Sequence, residues 1–290
     1  ELTKKYQVEP VYVAKDGTWY WDEKLKDITL FTSGNIEQFL QKARSASVSF
    51  DGGLTLSRQT GLGQKSKKVD IVFPAMHGTY GEDGSLMGLL EMANVPYVGC
   101  GLSASVLAMD KVLATLTVES HGIPTAKMQF ASRFDFEQSE EVFISSVESK
   151  LSYPVFVKPA HLGSSIGISR ATNTTELRNA LEVALHYDDK VLVEEEIANL
   201  IEVTLPIMGN NEPRAALLER PLLSGDDFFD FETKYMQGGK KGGKKGSPKG
   251  AQGYSELPAK LPEDLYKKAE ETGLNVYKAL GCEGTARVDM

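Results

Sequence analysis

Apolar positions along the chain follow two spacings, one typical of β-strands and the other of helices with one buried face. The strand spacing predicts strands at Val8–Ala14, Thr18–Trp21, Val69–Phe73, Val95–Val98, Lys127–Phe130, Val155–Val157, Ile166–Ile168, Lys190–Val193, Ile201–Met208, Pro213–Leu218 and Gly284–Met290. The helical spacing predicts helices at Ile36–Ala43, Ser85–Ala93, Gly101–Ala108, Lys111–His121, Glu137–Lys150, Glu176–Leu185 and Leu265–Leu280. Strands that alternate with helices in this way predict an α/β protein.

The segment at positions 69–98 has the order strand, polar loop, helix, strand, which is the order of a βαβ unit. Its first strand, Val69–Phe73, is almost entirely apolar and is expected to be a buried parallel strand. The loop that follows carries His77, Glu82 and Asp83 among several glycines. Open parallel sheets bind ligands at the carboxyl ends of their strands. We therefore expect a ligand site at this loop.

A second candidate site is the hairpin predicted at Val155–Ser169. Its first strand ends with Lys158, and Gly163, Ser164 and Ser165 form a polar turn before the chain returns. A fixed ammonium group together with free backbone N–H groups suits a polyphosphate. The segment matches neither a Walker loop nor a Gly-x-Gly-x-x-Gly turn. From these residues alone, an ordinary hairpin with a surface lysine is the alternative.

Three further groups of charged residues stand at the ends of predicted elements or near the end of the chain. Lys111 begins a helix that Asp110 is expected to cap, and Glu194 ends a strand. Arg287 and Asp289 alternate on the last strand and therefore share one face. Each group has an ordinary interpretation: a solvated lysine, an acid at a strand end, or a salt bridge. Together they suit a nucleotide and its metal ion.

Composition restricts the class of protein. With 290 residues, 41% hydrophobic and 25% charged, the chain is expected to form two or three globular domains. The net charge of −8 argues against nucleic-acid binding. No apolar run approaches the roughly 18 residues of a membrane span. The presence of two cysteines predicts no disulfide framework. Gly238–Gly253 contains seven glycines and five lysines, which predicts a mobile loop. A polybasic lipid- or nucleic-acid-binding segment is the alternative there.

Six short motifs occur in an order that resembles the D-alanine–D-alanine ligases of the ATP-grasp superfamily. They are His77-Gly-x-x-Gly-Glu-Asp-Gly84, Met109-Asp-Lys111, Val157-Lys-Pro-x3-Gly-Ser-Ser-x-Gly167, Leu192-Val-Glu194, Lys234-Tyr235 and Ala286-Arg-Val-Asp289. Each motif is weak alone, but the ordered set spans nearly the whole chain and is specific. The resemblance implies an α/β fold with an α+β lid: a Rossmann-like N-terminal domain at 1–99, then a two-part ATP-grasp fold with a central lid domain at 100–194 and a C-terminal domain at 195–290.

The resemblance also implies a nucleotide site between the two ATP-grasp domains. The residues expected to bind ATP are Lys111, Lys158, Ser164, Ser165, Glu194, Glu195, Ile197, Glu202 and Lys234. The lysines would hold phosphates, Glu194 and the backbone near Ile197 would meet adenine, and Glu202 would meet the ribose. Asp289 would bind Mg²⁺ or Mn²⁺.

The reaction implied is the ATP-dependent ligation of two D-alanines through an acyl phosphate, for peptidoglycan precursor synthesis. The catalytic residues would be Arg287, Ser164, Tyr235, His77 and Glu82. Arg287 would contact the transferring phosphate, and His77 with Glu82 would lie at the first D-alanine. Ser164 and Tyr235 would belong to the lid. Tyr235 favours the D-alanine amine as nucleophile, because lactate-using relatives tend to lose this tyrosine.

Other functions stay open at this point. A ligase that forms D-Ala-D-Lac or D-Ala-D-Ser is one alternative, and a non-catalytic nucleotide-binding relative is another. The family's first strand and glycine-rich loop would precede Glu1, and its Glu-x-Asn metal ligands would follow Met290, so we expect the chain to be part of a longer enzyme. The family also implies a cytoplasmic homodimer with small-molecule substrates, no nucleic-acid partner and no membrane span.

Overall fold

The structure is a computed structural model that describes residues 4–163, 165–221 and 255–290. Contacts divide the chain into two compact units. One consists of Glu1–Phe73 and Met87–Val98, and the other of Pro74–Leu86 and Gly99–Met290. The finer division into three domains at 1–99, 100–194 and 195–290 stays a prediction.

The first unit is built from short helices and antiparallel strands. Its elements are β1 (Val11–Val13), β2 (Trp19–Trp21), a 3-10 helix (Glu23–Lys26), α1 (Thr29–Thr32), α2 (Ile36–Leu40), β3 (Ala46–Ser49), β4 (Leu54–Thr60), β5 (Gly63–Val69) and most of α3 (Ser85–Met92). Strand β1 pairs with β2, and β3, β4 and β5 form a three-stranded antiparallel sheet in that order. Its most buried side chains include Trp21, Leu54, Leu56 and Leu90.

The buried parallel strand predicted at Val69–Phe73 is wrong. Strand β5 ends at the start of this stretch, and the partner strand predicted at Val95–Val98 is reduced to one parallel bridge between Val72 and Tyr97. Ile71 is 52% exposed. An apolar run predicts burial only when other elements cover both of its faces, and its own residues do not show whether they do.

The second unit contains the remaining described elements. They are α4 (Leu102–Met109), α5 (Lys111–Ser120), β6 (Met128–Ser132), α6 (Arg133–Gln138), α7 (Glu140–Lys150), β7 (Val155–Pro159), β8 (Ser169–Ala171), α8 (Thr174–Tyr187), β9 (Lys190–Glu195), β10 (Thr204–Met208), β11 (Arg214–Ala215), β12 (Arg220–Pro221), β13 (Ser255–Glu256), α9 (Glu263–Ala279) and β14 (Thr285–Asp289). An antiparallel sheet has the order β6-β9-β7-β8, another has the order β11-β10-β14, and β12 pairs with β13.

The β6-β9-β7-β8 sheet has one buried apolar face. Side chains of this face and of α6, α7 and α8 form a common core that includes Ile144, Val147, Val155, Val157, Leu177, Leu181, Val191 and Val193. Successive residues of a strand point to opposite faces. Phe156, Lys158, Leu192 and Glu194 therefore lie together on the other face, which is where the candidate site is found.

The β11-β10-β14 sheet packs against α9 through a second core. This core contains Leu205, Ile207, Leu218, Tyr277 and Val288. The helix approaches the sheet closely at Gly273, where a Cβ atom would lie 2.6 Å from Leu205 Cδ2. Because Val288 points into this core, Arg287 and Asp289 on either side of it point outward.

Two predicted elements of the second unit need correction. The returning strand predicted at Ile166–Ile168 is wrong, since β8 begins at Ser169. The residues before it form a turn in which Ser165 has φ 58° and Gly167 has φ 73°. At Gly167 a Cβ would also lie 2.8 Å from Pro159 Cγ, so glycine is required there. The helix predicted at Glu137–Lys150 is two helices, α6 and α7, separated by Ser139.

Across the part of the chain that the structure describes, no helix has the length and apolar character needed to cross a membrane.

Candidate active site

An ion pair between Lys158 and Glu194 forms the polar centre of the open sheet face. In the antiparallel pairing of β7 with β9, Phe156 lies opposite Glu194 and Lys158 opposite Leu192. The two charged side chains are therefore diagonal neighbours on one face. They are only 23% and 21% exposed. Each is the other's partner in a setting where an unpaired charge would be costly.

Lys158 lies in an environment that weakens its hold on a proton. Burial of the ammonium group, together with the positive charge of Lys111, lowers the pKa of Lys158 to about 8 despite the opposing charge of Glu202. The structure thus brings these three predicted nucleotide-binding side chains and Glu194 into one electrostatic environment. A bound polyphosphate would stabilise the protonated form of Lys158, because an anion favours the charged state of a nearby amine.

Lys111 is fixed at the start of α5. The Asp110 carboxylate accepts hydrogen bonds from the N–H groups of Val112 and Leu113 at 3.0 and 3.2 Å, which confirms the predicted cap. The Lys111 ammonium donates to the carbonyl of Leu162 at 2.5 Å and reaches that of Ala160 at 3.4 Å. Burial lowers the pKa of Lys111. This cation is therefore held directly beside the loop that leads into the predicted phosphate turn.

The predicted phosphate turn is described on either side of Ser164, which lies outside the described residues. Ile166 donates its N–H to the carbonyl of Gly163 at 3.2 Å, and Ile168 donates to that of Ser165 at 3.4 Å. These bonds close a tight turn between β7 and β8. Its role in holding phosphates stays a prediction.

The residues predicted to bind ATP around the end of β9 do not all share one face. The Glu195 carboxylate accepts a hydrogen bond from the N–H of Lys127 at 3.0 Å, and it points away from Glu194 because neighbouring strand residues alternate. This geometry uses the Glu195 side chain to secure the sheet. Ile197 and Glu202 follow β9 and are exposed, as residues that contact a nucleotide in an open cleft would be.

Arg287 and Asp289 form a two-pronged ion pair on the outer face of β14. Arg287 Nε lies 2.7 Å from Asp289 Oδ1, and Nη2 lies 2.9 Å from Oδ2. The hydrogen bonds that Arg287 donates to Asp289, and the charges of Asp289, Glu219 and Glu82, raise the pKa of Arg287. The guanidinium group is thus a permanent cation in an exposed position.

The loop of His77 is shaped by its own acids. Glu82 Oε2 accepts a hydrogen bond from the N–H of Gly78 at 2.6 Å, and its Oε1 lies 3.7 Å from His77 Nδ1. Asp83 accepts from the N–H groups of Tyr80 and Ser85 at 2.8 and 2.9 Å. Glu82 therefore lies within ion-pair distance of His77, beyond hydrogen-bond length, and its supporting role stays a prediction. The His77 side chain is 94% exposed.

Some predicted residues have no structural description. Lys234, Tyr235 and Gly238–Gly253 lie outside the described residues, as does Ser164. Sequence reasoning also missed His161 and its partners, which are described below. The only signal for His161 was its place among the three unspecified positions between Pro159 and Gly163.

A half-buried lysine on the sheet face, a second at the start of α5 beside a tight turn, and an Arg–Asp strand in the same unit suit a nucleotide-dependent enzyme of the ATP-grasp class. The family model described as the D-ala D-ala ligase C-terminus matches residues 117–290, and that of the D-ala D-ala ligase N-terminus matches residues 1–100. The chain belongs to the D-alanine–D-alanine ligase family, whose members are ATP-dependent ligases. The predicted family is confirmed.

Individual relatives agree with this assignment. The chain is 37% identical to the D-alanine–D-alanine ligases of Acetivibrio thermocellus and Chlorobium phaeovibrioides, over 98% of its own length and 74% of theirs. Among solved structures, it resembles the VanG D-Ala:D-Ser ligase from Enterococcus faecalis with a TM-score of 0.79 and 33% identity, over 99% of this chain and 77% of that one. It also resembles the D-alanine-D-alanine ligase from Coxiella burnetii, with a TM-score of 0.73 and 26% identity, over 99% of this chain and 72% of that one. The predicted fold class is confirmed.

Proposed function

We propose that the protein joins two D-alanines into D-alanyl-D-alanine at the expense of ATP, for peptidoglycan precursor synthesis. The observation that carries the proposal is the meeting of Lys111 and Lys158 beside Glu194 on the open sheet face. Membership in the ligase family and the names of the relatives support the same reaction.

Nucleotide binding would begin with an exchange of partners at Lys158. The phosphates of ATP take the place of the Glu194 carboxylate, and Lys111 adds a second cation from the start of α5. Glu194 is then free to accept a hydrogen bond from the adenine amino group. Both partners of the ion pair thus keep a partner when the ligand is bound, which avoids the cost of an unpaired buried charge.

The first chemical step transfers the γ-phosphoryl group. A carboxylate oxygen of the first D-alanine attacks the γ-phosphorus, the bond to the β–γ bridging oxygen breaks, and an acyl phosphate and ADP form. Arg287 contributes a fixed cation whose raised pKa keeps it charged. Stabilisation of negative charge that develops in the transition state is the main source of catalysis in phosphoryl transfer. His77, oriented by Glu82, holds the D-alanine.

The second step forms the peptide bond. The amine of the second D-alanine, once deprotonated, attacks the carbonyl carbon of the acyl phosphate, and inorganic phosphate leaves from the tetrahedral intermediate. Arg287 stabilises the oxyanion of that intermediate. Water must be kept out, because it would hydrolyse the acyl phosphate. We assign this task to the lid residues Ser164 and Tyr235, and a contact with the γ-phosphate to Lys234, on the family resemblance.

Asp289 is the carboxylate proposed to bind Mg²⁺ or Mn²⁺. Among the described residues, no group of three His, Cys, Asp or Glu side chains could hold a metal ion. Mg²⁺ commonly binds through one or two carboxylates together with substrate phosphates, so a single aspartate beside an ATP site fits this mode. When bound, the ion neutralises phosphate charge. A homodimer and a cytoplasmic location are proposed on the family resemblance.

Product analysis tests the function. The enzyme is supplied with ATP, Mg²⁺ and equal D-alanine, D-serine and D-lactate, and the products are measured by mass spectrometry together with ADP release. We expect D-alanyl-D-alanine as the main product. The likeness to a D-Ala:D-Ser ligase makes D-alanyl-D-serine the second candidate, and its predominance would replace the proposal. ADP release that does not depend on D-alanine would exclude both ligases.

A further inference from the structure

A histidine between β7 and β8 has a set of contacts that none of the assigned roles uses. His161 Nδ1 lies 3.0 and 3.1 Å from the two carboxylate oxygens of Asp188, and its backbone N–H donates to Asp188 Oδ2 at 2.7 Å. On the other side of the ring, Nε2 lies 3.3 Å from Asp110 Oδ2. The ring therefore hydrogen-bonds to Asp188 through Nδ1, and its Nε2 lies within ion-pair distance of Asp110.

The two carboxylates are buried and ionised. The side chains of Asp110 and Asp188 are 6% and 9% exposed. Burial raises the pKa of Asp110, but a hydrogen bond from Lys190 and the N–H of Leu113 more than offset it and the pKa is lowered. For Asp188 the hydrogen bonds from His161 outweigh burial in the same way. Two buried negative charges thus depend on the cations around them.

The loop that carries His161 is also the loop that holds Lys111. The N–H of Lys111 donates to the carbonyl of Ala160 at 3.0 Å, and its ammonium group donates to the carbonyl of Leu162. The side chains of Val112 in α5, Ala160 in the loop and Leu192 in β9 form a small buried cluster. Residues 160–162 therefore join the start of α5 to the sheet and to the phosphate turn.

We propose that His161 is a positioning residue for the nucleotide site. Its side chain clamps residues 160–162 between Asp110 and Asp188, and this clamp holds Lys111 in the arrangement that receives the ATP phosphates. The inference rests on the proposed function. His161 acts through Lys111 and does not itself contact the substrate.

The partners of the two acids show what the clamp contributes. Lys190 pairs with Asp110 at 2.5 Å, and His161 Nδ1 is the side-chain partner of Asp188 among the described residues. Asp188 and Asp110 also act on the charge of Lys111. Without the His161 ring, Lys111 would turn from the loop carbonyls toward Asp188.

The test compares three variants by steady-state kinetics. His161→Leu is expected to raise the KM for ATP by about 10- to 100-fold, while kcat and the KM for D-alanine change less than threefold. His161→Arg keeps a cationic donor that can reach both acids, and it should restore the KM for ATP to within about threefold of the wild type. The control is His186→Leu, which removes an exposed histidine from α8 and should change nothing.

The outcomes separate the inference from the proposed function. A wild-type enzyme that forms no D-alanyl-D-alanine overturns the function itself. An active wild type whose KM for ATP is unaffected by a folded His161→Leu variant overturns the positioning role. A folded but unrescued His161→Arg variant overturns the inference that contacts with the two acids hold the loop. If His161→Leu fails to fold, His161→Phe, which keeps a ring but donates no hydrogen bond, replaces it: a raised KM for ATP supports the inference, and an unchanged one overturns it.

Discussion

Replacing Lys158 by methionine is the most direct test of the ATP site. Methionine keeps the length and the apolar stem of the side chain but removes its charge. A hydrogen bond to a charged group contributes roughly 1.5–3 kcal/mol. Taking about 2–3 kcal/mol for the phosphate contact, the Kd for ATP should rise about 30- to 150-fold.

The same substitution also leaves Glu194 without its partner in the free protein. Because the Glu194 side chain is 21% exposed, water can satisfy part of its charge, and we expect a loss of about 1–3 kcal/mol in the free energy of unfolding. The double variant Lys158→Met/Glu194→Gln removes that unpaired charge. It should recover stability without recovering ATP affinity, which separates the two effects.

Calorimetric titration with a non-hydrolysable ATP analogue measures the affinity, and thermal unfolding measures the stability. Lys267→Met is the matched control, since Lys267 is an exposed lysine of α9 whose ion-pair partner among the described residues is Glu263. The affinity of the wild type should also fall as pH rises above about 8, where Lys158 loses its proton, and the affinity of Lys158→Met should not follow this change. An affinity within threefold of the wild type in a folded Lys158→Met variant would refute the assignment of the phosphate site.

Three further outcomes follow from other residues. Arg287→Lys keeps the charge but loses the two-pronged donor, so kcat should fall by about 10²–10³-fold, whereas Arg214→Lys in β11 should have no effect. A hydrogen bond from the Cys282 thiol lowers the pKa of Cys100, so iodoacetamide should modify Cys100 more slowly in Cys282→Ala than in the wild type, as peptide mass spectrometry would show. Tyr235→His should raise D-lactate use relative to D-alanine, most clearly at lower pH; a constant product ratio from about pH 6 to pH 9 would contradict it.

The sequence was most informative where apolar periodicity and capping residues act together. Asp110 at the start of α5 and the apolar runs of β7 and β9 were predicted correctly, because each pattern is local. The sheet of β3, β4 and β5 was missed. Its last strand, Gly63–Val69, is polar and largely exposed, so it has no apolar alternation to recognise.

Contacts between residues far apart in the sequence account for the features of the site that the sequence did not predict. Ion pairs such as Lys158 with Glu194 depend on the register between β7 and β9, which no single segment reveals. The clamp around His161 is still less visible, since Asp188 is 27 residues away along the chain. The motifs of the family located the candidate site, but the partner of each charge could be read only from the fold.

If Lys158 binds the phosphates and Glu194 the adenine amino group as proposed, their ion pair has a consequence for selectivity. A ligand that is only an anion would pair with the lysine and leave the carboxylate unpaired, and a ligand that only donates hydrogen bonds would do the reverse. A nucleotide carries both phosphates and an amino group, so it would give each side chain a partner. Inorganic triphosphate should therefore bind more weakly than ATP.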